Sequence, residues 1–183
     1  MQLLPKIHPS LQVIRVLECS QACWETSGIF RESGDQATIS ILRKQIDENV
    51  DVDYDSIKPH DLAGLFKAYL RMLPEPLTTF EAYSVIQTAQ LISDSQERFV
   101  FVRKVFSKNF PEPNAIALKR ILRLLKMYSE HADANKMSVK NLAVCFAPAL
   151  FRDRKADMKA LADASKYAEL LAYMIENCET IFA

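Results

Sequence analysis

Asn114-Ala115-Ile116-Ala117-Leu118-Lys119-Arg120-Ile121-Leu122-Arg123-Leu124-Leu125-Lys126-Met127-Tyr128 places apolar side chains at 118, 121, 122, 125 and 128. That spacing puts one apolar stripe along a helix. Asn114 stands where a side-chain cap would open it. Phe110-Pro111-Glu112-Pro113 breaks the chain just before, because prolines cannot continue a helix. Ala132–Lys136 then reads as a polar connection. Ser138 is placed to cap a short apolar helix that stops near Pro148.

The same grammar extends in both directions. Towards the N-terminus, Asp94-x-x-Glu97 opens a helix to about Lys108, and the capping box Thr78-x-x-Glu81 opens one to about Leu91. Ser10–Trp24 reads as a helix with Leu11, Ile14 and Leu17 on one stripe and Pro9 ahead of it. Asp35 caps a helix to about Asn49 that carries Ile39, Leu42 and Ile46. Asp51–Lys58 is polar and irregular. Pro59 suits the first turn of a helix bearing Leu62, Leu65, Phe66, Tyr69 and Leu73, and Pro74 and Pro76 end it. Towards the C-terminus, Arg152–Lys159 is charged and expected to be exposed. Ser165–Ile181 is the last helix, with Leu170, Leu171, Met174, Ile175 and Cys178 facing inward. The expectation is one all-α domain of about eight or nine helices around a bundle-like core.

Composition excludes several alternatives. The 183 residues are 49% apolar and 25% charged, enough for one domain with a sizeable core. Lysine and arginine number 23, matched by 23 aspartates and glutamates, so no overall positive charge recommends the chain to nucleic acid. The longest stretch free of strongly polar side chains is Leu142–Phe151, far short of the roughly 20 residues a bilayer span needs. The first residues lack the basic-then-apolar pattern of a secretory signal. The four cysteines form no CxxC pair, which points to a reducing, cytoplasmic compartment. Cys19, Cys23 and Cys145 read as core side chains. His8, His60 and His131 have no zinc-ligand spacing.

There are only three glycines, Gly28, Gly34 and Gly64, and no Asn-Gly or Asp-Gly, which disfavours a β-sandwich or barrel. No Gly-rich phosphate loop is present. Two of the three glycines bracket Ile29-Phe30-Arg31-Glu32-Ser33, a sign of backbone that bends or is closely approached.

Within that bracket Ile29 and Phe30 can anchor the loop while Arg31 points outward, offering a permanently charged fork suited to phosphate oxygens. Taken alone, Arg31 also fits an ordinary surface arginine. Lys67 and Arg71 share a helix face at i, i+4 among apolar neighbours, and a solvated basic edge would look the same. Asn141 lies just inside the short apolar helix, where an Asn commonly serves as a helix-start polar group.

Together these stretches resemble a known family. Gly28-Ile29-Phe30-Arg31-Glu32-Ser33-Gly34 is similar to the signature loop of RhoGAP domains. His60-Asp61-Leu62-Ala63-Gly64-Leu65-Phe66-Lys67-Ala68-Tyr69-Leu70-Arg71-Met72-Leu73-Pro74-Glu75-Pro76-Leu77 resembles the second block of that family. Asn135-Lys136-Met137-Ser138 with Asn141-Leu142-Ala143-Val144-Cys145-Phe146-Ala147-Pro148 resembles the third. The order and spread of the three blocks cover nearly the whole chain.

The resemblance implies an all-helical domain, residues 1–183, cut from a longer multidomain chain. It implies binding to a GTP-loaded Rho-family small GTPase and faster GTP hydrolysis, with Arg31 inserted in trans as an arginine finger. Lys67, Arg71 and Asn141 match positions that support the finger loop and contact the GTPase. Arg71 would mainly brace the loop, and Asn141 would bond near the finger and the partner's switch region. Pro148 would shape its helix end. The domain would be monomeric and need no cofactor of its own, since GTP and Mg²⁺ belong to the partner. Such a domain activates a GTPase rather than acting as a stand-alone enzyme. The alternative is a catalytically silent adaptor. Two departures bear on efficiency. Ser27 stands where the family often has Glu, and Glu32 follows the finger where apolar or basic residues are frequent.

Overall fold

A computed structural model describes residues 9–80, 88–89, 91–108, 110–152 and 164–181. The described residues contain ten α-helices and no strand, as the helical periodicity requires. In chain order they are α1 (Pro9–Cys19), α2 (Gln21–Glu25), α3 (Gln36–Asp47), α4 (Pro59–Met72), α5 (Ser95–Lys108), α6 (Glu112–Glu130), α7 (Ala132–Asn135), α8 (Val139–Leu150), α9 (Ala164–Glu176) and α10 (Cys178–Ile181). A 3-10 turn, Tyr54–Ser56, interrupts the segment between α3 and α4 and buries Tyr54.

Helix α6 is the axis of the core. Leu118, Ile121, Leu122, Leu124, Leu125 and Tyr128 along it are all buried. Helices α8, α9 and α10 pack on it, α9 lies along α8, and α4 joins α8 to α1 and α3. The Tyr128 hydroxyl donates to the Leu17 carbonyl at 3.0 Å, which ties the axis to α1. Two bidentate ion pairs add outer braces: Arg120 to Glu18, and Arg123 to Glu179. Among the described residues no helix is long and apolar enough to cross a membrane.

Several local expectations need correction. The Ser10–Trp24 helix is split, because Ser20 adopts extended φ/ψ between α1 and α2. The final helix is likewise divided at Asn177, and α7 forms a turn within the expected polar connection. These short pieces raise the helix count above eight or nine without changing the architecture. Pro111, not Asn114, precedes α6, with Pro113 in the first turn where its missing N–H is harmless. Asn114 instead donates to the Leu77 carbonyl at 2.9 Å. Helix α8 continues through Pro148 to Leu150. Cys19 is exposed and Cys145 half-buried, whereas Cys23 is buried.

Thr78 is tied to α8. Its hydroxyl is buried and donates to the Leu150 carbonyl at 2.6 Å, while the Glu75 carboxylate accepts from the Phe80 N–H at 3.0 Å. Most of the helix expected after it, including Glu81, lies outside the described residues, as do positions 153–159 of the charged segment. Arg152 is not a free surface cation, because its guanidinium closes the end of α4, donating to the carbonyls of Arg71 (2.7 Å) and Leu73 (2.5 Å).

Candidate functional site

The loop between α2 and α3 is built from its apolar base outward. Ile29 and Phe30 are 0% exposed. The Phe30 ring meets Tyr128 and Phe146 edge-on, with centroids 4.9 and 5.0 Å apart. Such edge-to-face pairs add to the burial energy of the ring. To reach that pocket, Phe30 takes a φ of 66°, a left-handed conformation uncommon for a bulky side chain. Gly28 precedes it at φ 68°, where glycine carries no Cβ penalty. The loop closes on itself, with the Arg31 and Glu32 N–H groups both donating to the Gly28 carbonyl at 2.9 and 2.8 Å.

Three elements hold this backbone from outside. From α7, the Asn135 carbonyl accepts the Gly28 N–H at 2.8 Å. From α4, the half-buried Lys67 ammonium donates to the Phe30 carbonyl. At the far end the Asp61 carboxylate accepts the Asp35 N–H at 2.7 Å. Gly34 allows that approach, since a Cβ there would lie 2.5 Å from the Asp61 carboxylate and 2.6 Å from the His60 carbonyl. Asp35 then caps α3 through Thr38, which lowers its carboxyl below the ordinary carboxylate range.

On this fixed frame Arg31 stands free. Its side chain is half exposed, and its nearest counter-charge is the Glu32 carboxylate at 3.9 Å. Glu32 is the same distance from the His60 imidazole. The half-buried Cys145 thiol on α8 is raised by burial and pulled back by the charges of Lys67 and Arg31, so α4, α8 and the loop share one electrostatic neighbourhood. Burial lowers the Lys67 ammonium below the usual lysine range; the neighbouring Cys145 opposes the shift and Arg71 adds to it. Arg71 is exposed one turn along the same face. Asn141, one turn before Cys145, donates to the Lys136 carbonyl at 3.3 Å, and its N–H completes the Ser138 cap. Arg71 lines a groove with Glu32, Ser33 and Gly34 of the loop, and of Lys67, Arg71 and Asn141 only Lys67 bonds to the loop directly.

The model of the RhoGAP domain family matches residues 9–155, a span that takes in the loop and all four of these side chains. The chain belongs to the RhoGAP domain family. It is 33% identical over 174 residues to the Rho GTPase-activating protein gacJJ of Dictyostelium discoideum, covering 94% of this chain and 19% of that protein. It is also 33% identical over 158 residues to Rho GTPase-activating protein 68F of Drosophila melanogaster, covering 86% of this chain and 33% of that one. The crystal structure of human Rho GTPase activating protein 15 superposes with a TM-score of 0.86 at 25% identity, over 95% of this chain and 82% of that chain. The chain spans only about a tenth to a third of the length of the curated relatives it matches.

Two residues central to this RhoGAP loop carry no signal in sequence spacing. Asn135 is fully buried with every side-chain group used. Its amide donates to Trp24 and Tyr128 carbonyls, both at 2.9 Å, and its oxygen accepts the Met137 N–H at 2.8 Å. Asp61 is 5% exposed, a carboxylate on the buried side of α4. Both act through partners distant along the chain, which periodicity within one helix does not reveal.

Proposed function

We propose that this domain binds a Rho-family small GTPase in its GTP state and accelerates hydrolysis by inserting Arg31 beside the γ-phosphate. The observation that carries the proposal is the contrast within one dipeptide: Phe30 is 0% exposed and locked, whereas Arg31 is half exposed with only a distant counter-charge. A guanidinium so presented is pre-organised for charge that develops on γ-phosphoryl oxygens, and it needs no nucleophile or base of its own. The GTPase would supply nucleotide, Mg²⁺ and attacking water, so the domain needs no cofactor. Arginine fingers in other GTPase systems contribute about 10³–10⁵ in rate, about 4–7 kcal/mol of barrier. Lys67 would fix the carbonyl before the finger, Arg71 the flank of the loop, and Asn141 the partner's surface beside α8. The names of the relatives, Rho GTPase-activating proteins, favour the same reading.

The test is single-turnover GTP hydrolysis by a panel of Rho-family GTPases, with affinity measured in the GTP-analogue and GDP states. The expected result is acceleration of at least one member and tighter binding of its GTP state. Binding without acceleration of any member would favour the adaptor reading, and no GTP-dependent association would reject both.

A further inference from the structure

We propose that Arg43 is a further partner-binding residue, which extends the basic face beside the finger loop and receives an acidic side chain of the GTPase. This rests on the reading just given. A polar groove of about 240 Å³ runs between α3 and α4, starting at Ser33 and Gly34 of the loop and lined by Lys67, Arg71 and Arg43. A GTPase engaged by Arg31 lies over the mouth of this groove, because loop and groove share those residues. Glu32 is the acid on its lining, at the loop end, where it already faces Arg31 and His60. Three cations against one carboxylate leave the groove positive, a surface that favours an acidic partner and repels a basic one.

Arg43 borders two spaces. One is a small, mostly apolar cavity of about 60 Å³ shared with Val13, Leu65, Phe66 and Tyr69 and with Asp47 one turn on along α3. The other is the polar groove. The Arg43 Nε–H is shielded from solvent and has no hydrogen-bond partner, and among the described residues no acid lies within ion-pair distance of Arg43. A buried donor left without an acceptor is unfavourable in the free protein. Glu18 and Glu179 fill the forks of Arg120 and Arg123, and two carbonyls engage the terminal nitrogens of Arg152, although its Nε–H also lacks a partner; the fork of Arg43 has no such partners. The open fork is on the face that meets the partner.

The test uses the full chain and a Rho-family GTPase that the wild type stimulates. Saturating rate and half-saturating concentration are separated, and melting temperature is followed alongside. Arg43→Met keeps an apolar side chain beside the small cavity, so the melting temperature and saturating rate stay at wild-type values. The half-saturating concentration rises about tenfold and loses part of its dependence on salt. Arg43→Glu raises it further, and Arg43→Lys restores most of the affinity. Wild-type half-saturating concentrations in Arg43→Met and Arg43→Glu would overturn the proposal. So would a loss of affinity that merely follows a fall in melting temperature. If the unmutated chain neither binds nor stimulates any GTPase, the failure lies with the proposed function itself.

Discussion

Two loops of this domain are made from similar parts and do opposite things. The loop of residues 28–34 and the turn of residues 73–79 each contain a non-glycine residue at positive φ, Phe30 at 66° and Thr79 at 57°. Each is tied to the core by hydrogen bonds from distant elements, and each is attended by an arginine. At the turn, Arg152 spends its guanidinium on the orphan carbonyls of Arg71 and Leu73, so the charge closes a helix end. At the loop, the carbonyl of Phe30 is met by Lys67 and the N–H of Gly28 by Asn135, so nothing in the backbone asks for Arg31. An arginine is left available when other groups satisfy the backbone around it.

The largest effect expected separates these two arginines. Arg31→Ala should lower the saturating stimulated rate by about 10³-fold or more while leaving GTPase affinity and melting temperature near wild type. Next, Phe30→Ala should destabilise the fold by about 3–5 kcal/mol in denaturant titration, because it empties a fully buried aromatic site and frees the loop base. Arg152→Met should lose about 1–3 kcal/mol of stability and leave the saturating rate unchanged, the mirror image of Arg31→Ala.

A pH series sharpens the account at the point where the loop enters α3. Thr38 holds the Asp35 carboxyl below its ordinary range, so its stabilising contribution is complete above that range and fades as pH falls towards the folded value. Asp35→Asn should flatten that acid limb of the stability curve. The smallest effect belongs to Glu32. Its pair with Arg31 is long and half exposed, so Glu32→Gln should raise the stimulated rate by no more than about threefold.

Much of this was legible in sequence because helix faces and caps are local. The stripe Leu118, Ile121, Leu122, Leu125 and Tyr128 is buried as its spacing predicts, and Asp35 caps α3. The apolar pair before Arg31 correctly foretold a buried loop base. The misses share a physical cause. Asn114 carries the side chain of a cap but donates to a carbonyl far away in sequence, so a tertiary partner overrode the local motif. Ser20 breaks a helix whose apolar period continues across it. Asn135 and Asp61 bond the loop across long separations, and Arg43 borders two different cavities whose other walls come from elements distant in sequence.

The most direct measurement is single-turnover GTP hydrolysis by a responsive Rho-family GTPase at saturating domain, comparing the wild type with Arg31→Lys. The lysine keeps the charge and removes the planar fork. The account predicts that Arg31→Lys fails nearly as badly as Arg31→Ala while still binding the GTPase. A saturating rate within about threefold of wild type for either variant would contradict it.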